Sequence, residues 1–275
     1  MSSVDPSALA RELLAASAGR QPVAVPPSAR DEDFDLAAAY AVANELTRLR
    51  RAAGRSTVGV KVGFANKAVW RALKLQTLAW GPMYDDTVHY ATNGESSLAI
   101  ARMVSPKIEP EIVFRLKRPI GGGHTIDASE VLDAVEWIAL GFEVIDCPFP
   151  DWKFQPTDFV AAFGLHAALI VGTPKAVEAA SLSAIADELA AFQVRLMNDG
   201  QTVAEGSGRN SLRNPALCLG ELASAMAARA DAGSLATGDL VSSGTLTESQ
   251  LIAAGQVWRA EVSGIALEPL TLRIV

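Results

Sequence analysis

Ser105-Pro106-Lys107-Ile108-Glu109-Pro110-Glu111-Ile112-Val113-Phe114-Arg115-Leu116 alternates with period two, placing Ile108, Ile112, Phe114 and Leu116 on one parity and Glu109, Glu111 and Val113 on the other. That period predicts a β-strand. Residues i and i+2 of a strand project from the same face, so Glu109 and Glu111 stand side by side with about 7 Å between their Cα atoms. Two carboxylates can then converge on one point. Pro110 has no N–H for a ladder bond, which predicts an edge, a bulge or a strand start here.

Downstream, a turn through Gly121, Gly122 and Gly123 leads to Asp127 and Glu130, a capping-box pattern for a helix running to about Trp137. A second strand is expected over Ile138-Ala139-Leu140-Gly141-Phe142-Glu143-Val144-Ile145, an apolar run broken only by Glu143. An unpaired ionised carboxylate there would cost several kcal/mol, on the order of 2–7 for a polar group and more for a charge, so Glu143 should be paired, protonated or bound to a metal. Three oxygen donors with no nearby His or Cys suggest a hard cation, Mg²⁺ or Mn²⁺. The bland alternative is a Glu-X-Glu on a solvated face, and Glu143 weighs against it.

Upstream, Thr57 to Phe64 reads as a strand whose valines share one face while Gly59, Lys61 and Gly63 share the other. Glycines beside Lys61 allow a ligand or backbone to approach closely, although a strand lysine pointing to water is the more usual arrangement. Pro6 to Ala18 predicts a short amphipathic helix, and a second helix begins near Asp33, with Leu36, Ala39, Tyr40, Ala43 and Leu46 on one stripe and Gly54 as its stop. Asn66 caps a helix through about Lys74. Trp80 to Asp86 reads as irregular, and its paired Asp85 and Asp86 as turn formers.

Beyond Lys153, Thr157 to Gly172 reads as strand and turn, with His166 ahead of an apolar run and more often structural than catalytic in such a place. Ser183 to Ala190 is helical, and Asn198-Asp199-Gly200 is a strong hairpin signal between strands. Gly206 to Pro215 opens a helix to about Arg229; Arg209 and Arg213 on it could meet a substrate carboxylate or a neighbouring subunit. The stretch from Gly238 to Leu272 is strand-rich, and Gly244-Thr245 alone is a Ser/Gly-rich turn.

Pro106 to Phe114, Gly141 to Asp146, and Asp151-Trp152-Lys153 followed by Asp158 resemble the signature of the 2-keto-4-pentenoate hydratase and 4-oxalocrotonate decarboxylase family, within the fumarylacetoacetate hydrolase superfamily. The resemblance runs from about Val58 to the C-terminus and more weakly through the helical N-terminal region. It implies an α+β fold, with a helical region over residues 1–56 and a mixed β-rich core over 57–275. It implies that Glu109, Glu111 and Glu143 hold the divalent cation, and that Lys61 lies near the substrate. Asp86, or its neighbour Asp85 one residue away, is implied in proton transfer or in orienting water. Lys153, His166 and Thr245 are implied as substrate contacts, the last in a turn that binds a 2-oxo acid.

The reaction so implied is hydration of a short 2-hydroxydienoate or 2-oxo-enoate, as in the catabolism of aromatic ring-cleavage products. Decarboxylation of a 2-oxo acid and C–C hydrolysis are the alternatives. Two departures motivate a non-enzymatic assembly component as a further rival: Ala-Phe-Gly-Leu-His over 162–166, where relatives carry Asn, Ala, Ser, Ser, and Arg213-Asn214, where they read Gly-His.

Composition narrows the field further. The chain is 49% hydrophobic with a net charge of −7, and its basic residues are scattered, which argues against a nucleic-acid surface. No apolar run approaches about 18 residues and no basic flank precedes an apolar N-terminal stretch, so neither membrane insertion nor secretion is indicated and cytoplasm is the expectation. Cys147 and Cys218 lack a CxxC spacing and fit reduced thiols. With only His89, His124 and His166 and no HExxH, a zinc-protease reading has little support. A mean hydropathy of +0.20 fits a chain that buries surface between subunits, and the resemblance implies a homo-oligomer.

Overall fold

The alternation over residues 106–116 becomes an 11-residue strand, Pro106–Leu116, in the computed structural model, which describes residues 2–122 and 127–275. Gly123 of the expected glycine turn, and His124, lie outside the described residues. Val135–Asp146 returns antiparallel along the whole of Pro106–Leu116, in a register that sets Glu109 opposite Glu143 and Glu111 opposite Gly141. The helix expected to reach Trp137 is a short one, Ala128–Leu132, capped by the Asp127 carboxylate accepting from Ser129 N–H. Val135 and Trp137 belong instead to the strand, because pairing with Leu116 and Arg115 outweighs the helical preference of so short a segment.

Among the described residues nine strands form a mixed sheet, whose main path runs Ala79–Tyr84, Thr57–Gly63, Leu240–Ser242, Pro106–Leu116, Val135–Asp146, His166–Val171 and Val88–Tyr90. Pro110 is thus central, contrary to the edge, bulge or strand start expected of it. Leu240–Ser242 pairs with residues 113–115 and Gln250–Leu251 with 107–108. Between them the chain bows away, and Ser243 and Leu246 donate their N–H groups to the Ile112 and Pro110 carbonyls. The missing N–H falls in that gap. Trp80 to Tyr84, expected to be irregular, is paired as part of Ala79–Tyr84, at a sheet end where Pro82 is tolerated.

The two faces of this sheet have different partners. Ile108, Phe142, Val144 and Ile170 pack against Trp258, Leu196 and Leu272 of a second, five-stranded sheet. On the other face, Met83 of one terminal strand meets Leu169 from near the opposite end, together with Val113, Ala139 and Leu240. Side chains so far apart in strand order touch only because the sheet curls on itself. The curled interior carries this apolar plug and the three glutamates on one continuous face.

The N-terminal helices form as expected, Pro6–Gly19 and Leu36–Ala52, the second capped by Asp35. Leu9, Leu13 and Leu46 share a hydrophobic cluster with Trp80, Phe149 and Phe159 of the core. Asn66 caps a shorter helix than expected, Lys67–Trp70. Thr157 to Ala161, expected as strand and turn, is helical within Pro156–Ala161, and Pro156 at its start with the reciprocal Gln155 and Asp158 cap was the available signal. Fully buried Asp158 also accepts from Ser28 N–H and Ser28 Oγ at 2.8 and 2.6 Å, fastening the N-terminal segment to the core. Among the described residues no helix is long and apolar enough to cross a membrane.

Gly59 sets the height of Lys61 in the curled sheet. It has φ +154°, and a Cβ there would lie 1.9 Å from the Leu240 carbonyl oxygen. Gly59→Ala is therefore expected to split the pairing of Thr57–Gly63 with Leu240–Ser242 and to lower unfolding stability by about 3 kcal/mol, the upper range for overpacking. Urea denaturation with an unchanged midpoint would contradict this.

Candidate metal and active site

Glu109, Glu111 and Glu143 each present an oxygen within 4.8 Å of the others'. Strand geometry accounts for the convergence: two residues apart on one strand bring in Glu109 and Glu111, and cross-strand pairing brings in Glu143. Gly141, opposite Glu111, leaves room, since a Cβ there would lie 2.5 Å from Val113 Cγ2. Glu111 and Glu143 are fully buried and Glu109 is half-buried. No hydrogen bond engages Glu109 among the described residues.

Glu111 is held on one oxygen and bare on the other, whereas Glu143 has a basic side chain beside each oxygen. Glu111 Oε2 accepts from Ser242 Oγ at 2.6 Å and from Gly244 N–H at 2.8 Å, while Oε1 has no partner. Glu143 Oε1 lies 3.1 Å from His166 Nδ1. Lys61 Nζ stands 3.0 Å from Glu143 Oε2 in an ion pair whose geometry falls outside that of a hydrogen bond, leaving this oxygen without a donor. Unpartnered buried carboxylate oxygens are rare and costly. Here they point into one cluster of hard donors, the chemistry a Mg²⁺- or Mn²⁺-sized cation fits.

The electrostatics lead the same way. Burial and the neighbouring Glu143 charge push Glu109 up to about 7 against the pull of Lys61. Burial, Glu143 and Glu109 push Glu111 well above the usual carboxylate range. Burial acts on Glu143 too, but Lys61 and His166 outweigh it and hold its carboxyl below the ordinary value. Burial draws the Lys61 ammonium down, yet Glu143, Glu109 and Glu111 together raise it above its ordinary value.

Lys61 does not point to water: it is 2% exposed, and its ammonium lies 5.0 Å from the centre of the Phe159 ring. Phe159 fits because Gly63 has no Cβ, which would stand 2.2 Å from the ring. His166 is buried, with Nε2 2.9 Å from Thr87 Oγ1, so both ring nitrogens are engaged. Its ring forms one wall of a cleft of about 270 Å³ between the Pro6–Gly19 helix and the sheet, lined also by Leu13, Arg50, Tyr84, Met103 and Leu165.

The remaining expected residues lie further out. Asp86 pairs with Arg50 and Arg55 at the turn after Ala79–Tyr84, and it is the adjacent Thr87 that reaches His166. Asp85 is exposed. Lys153 is exposed beside Asp151, 3.3 Å away. Thr245 donates its hydroxyl to the Thr247 carbonyl, and the preceding Gly244 supplies the N–H on Glu111. Ser242, Thr87 and Phe159 escaped the reading of the sequence. Ser242, a hydroxyl in a buried apolar strand, carried the clearest signal.

A family model described as fumarylacetoacetate (FAA) hydrolase C-terminal matches residues 57–271. The 2-hydroxyhexa-2,4-dienoate hydratase of Comamonas testosteroni is 29% identical over 227 residues, 82% of each chain. A 4-oxalocrotonate decarboxylase of a Pseudomonas species is 28% identical over 242 residues, 88% of this chain and 89% of that one. Among solved structures, the 4-oxalocrotonate decarboxylase from Pseudomonas putida G7, complexed with magnesium and adipate, superposes with a TM-score of 0.86 at 24% identity, covering 98% of this chain and 97% of its own. That likeness is one of fold.

Replacing His166 by Leu removes a donor from buried Glu143 while conserving apolar bulk. The expected cost is about 2 kcal/mol, within the range of about 1–3 for stranding a buried polar group. Thr87→Val, which leaves Nδ1 on Glu143, should cost less. Equal losses in thermal denaturation would mean that the Glu143 contact contributes nothing of its own.

Proposed function

The chain belongs to the fumarylacetoacetate hydrolase family, and we propose on that premise that it is a divalent-cation-dependent lyase, a hydratase that adds water to a short 2-hydroxydienoic or 2-oxo-enoic acid. The observation that carries this reading is the cluster of Glu109, Glu111 and Glu143, with a bare oxygen on Glu111 and a buried ammonium beside Glu143. Glu109, Glu111 and Glu143 would hold Mg²⁺ or Mn²⁺. When bound, the cation supplies Lewis acidity to the carboxylate and 2-oxygen of the substrate.

The rest falls to the chain's own groups. Hydration moves one proton to carbon to give the unsaturated ketone, then adds the oxygen of water at the vinylogous carbon and a proton at its neighbour, with no change of oxidation state overall. Lys61 Nζ would hold and deliver a proton, a role supported by its burial against Phe159, which keeps bulk water from it. Glu143 fixes the ammonium through their ion pair, and His166 fixes Glu143. Asp86 acts at one remove, anchoring the turn from which Thr87 holds His166. Decarboxylation is the second reading, favoured by the 28% identical decarboxylase, because the same electron sink serves loss of CO₂.

Two measurements test this. Mg²⁺ or Mn²⁺ at about 100 times its dissociation constant is expected to add about 2.7 kcal/mol to unfolding stability. Glu109→Gln, the least buried of the three, should abolish that gain and the calorimetric binding isotherm while remaining folded. Unchanged affinity in Glu109→Gln would remove the metal site. Lys61→Met should retain most cation binding and lose about 10²-fold or more in turnover, the usual range for an acid–base group. The assay is a screen of 2-hydroxydienoates with product identification by mass, where a hydroxy-oxo acid is expected. Release of CO₂ would move the assignment to a carboxy-lyase, and Lys61→Met turning over like the native protein would remove Lys61 from the chemistry.

A further inference from the structure

The cleft walled by His166 is held open by hydrogen bonds on both sides. One wall is the end of the Pro6–Gly19 helix, through Leu13, Leu14 and Ala18, and the facing wall is the loop of Arg102, Met103 and Val104. Arg20, left-handed at φ +52° just past the helix, donates its Nε–H to the Met103 carbonyl at 2.7 Å and so ties the helix end to the loop. Asp146 accepts from Val104 N–H at 2.9 Å and from Ser105 N–H at 2.7 Å, which fastens the loop to the sheet. About 270 Å³ lies between walls that are thus preformed.

The chemistry of this space is apolar with one free charge. Leu13, Leu14, Met103, Pro148, Phe163 and Leu165 supply hydrocarbon, and the charged lining groups are Arg50, Arg102 and Asp146. Both Asp146 oxygens are taken by backbone N–H groups, and Arg50 is answered by Asp86 while its guanidinium lies 4.6 Å from the centre of the Tyr84 ring. His166 has both nitrogens engaged, by Glu143 and Thr87. Arg102 is exposed and forms no ion pair with another described residue. Apolar walls with a guanidinium at the rim suit a molecule with a hydrocarbon body and one carboxylate: the body displaces water from the walls and the head takes a charge-assisted hydrogen bond.

The same lining residues support the glutamate cluster. His166 bridges Thr87, in the cleft wall, to Glu143. Phe163, Gly164 and Leu165 are consecutive left-handed residues, with φ of +58°, +64° and +58°. The first and last line the cleft, while Gly164 rests on the stem of Lys61, where a Cβ would stand 3.2 Å from Lys61 Cδ. Phe and Leu hold this conformation against steric resistance, so packing on their side chains is what keeps the turn in place. A ligand packed on both would hold the turn, and with it Lys61 and His166, where they stand.

We infer that this cleft is an effector site for a small amphipathic monocarboxylate, separate from the glutamate cluster, and that its occupant steadies Lys61 and His166 and so favours cation binding by the three glutamates. The coupling rests on the function proposed above. Its source is order: surroundings already fixed by one ligand lose less freedom when the next one binds.

Hexanoate is the probe, and 1-hexanol, with the same chain and no charge, is its comparison. Calorimetry without divalent cation is expected to show saturable binding of hexanoate, at least about 10-fold tighter than of 1-hexanol, the effect of one charge-assisted bond. Arg102 and Ala18 are both exposed, so substitution at either leaves the core intact. Arg102→Ala should cut that preference at least about 5-fold, and Ala18→Trp, which fills the cleft from the helix end, should abolish hexanoate binding. Absence of saturable binding, or binding that survives Ala18→Trp, overturns the site. With saturating hexanoate, Mg²⁺ affinity should rise at least about 3-fold in the native protein and stay unchanged in Ala18→Trp, and Mg²⁺ should tighten hexanoate by the same factor. A native Mg²⁺ affinity that hexanoate leaves unchanged or weakens, or an equal rise in Ala18→Trp, overturns the effector role. Failure of Mg²⁺ to bind with or without hexanoate overturns the proposed function and the coupling with it, while the carboxylate site stands or falls on the calorimetry without cation.

Discussion

Three carboxylates meeting inside a curled sheet repel one another, and the groups around them are arranged to contain that repulsion. With oxygens within 4.8 Å of one another, two ionised members interact by roughly 3–4 kcal/mol at an effective dielectric of about 20. Lys61 offsets part of this, and Ser242, Gly244 and His166 each donate to, or share a proton with, one oxygen. The remainder appears as the raised proton affinity of Glu109 and Glu111. A divalent cation held by the three would remove that remainder in one step. Deleting the charges would be the simpler route to stability, so their retention in the core argues for function.

The part of this arrangement that depends on local geometry could be read from the sequence. Alternation over 106–116 fixes which glutamates share a face, and the apolar run around Glu143 shows that the acid is buried. The part that depends on pairing could not. Pro110 looked like an edge residue because its missing N–H was visible and the gap between Leu240–Ser242 and Gln250–Leu251 was not. Trp137 looked helical because nothing local records that Leu116 needs Val135 as a partner. His166 suggested a structural residue from its position and a substrate contact from the resemblance. The structure gives it two partners, buried Glu143 and half-buried Thr87, neither close to it in sequence.

Asp158 shows the same limit from the other side. It follows Asp151-Trp152-Lys153 in the stretch that carries the family resemblance, and its oxygens close a helix cap and bind Ser28. That contact joins the N-terminal segment to the helix carrying Phe159, and Phe159 covers Lys61. A residue remote from the cluster thereby bears on how well Lys61 is sealed from water. Burial energy reaches the site through this route, because Leu9, Leu13 and Leu46 pack in the same hydrophobic cluster as Phe159.

Backbone strain separates the strands that carry the glutamates and Lys61 from the turns between them. No left-handed residue lies within Pro106–Leu116 or Val135–Asp146, and Gly59 is alone in that condition in Thr57–Gly63. Non-glycine left-handed residues gather in the segments between strands, at Phe64, Asp151 and Trp152, Phe163 and Leu165, and Leu212 and Arg213. Each costs on the order of 1–3 kcal/mol. Relaxed strands set the glutamates and Lys61 in a geometry that follows from pairing alone. Strained turns place side chains where no regular element would put them. Which acids share a face is therefore legible in strand periodicity, whereas the side chains that the turns hold are legible only in three dimensions.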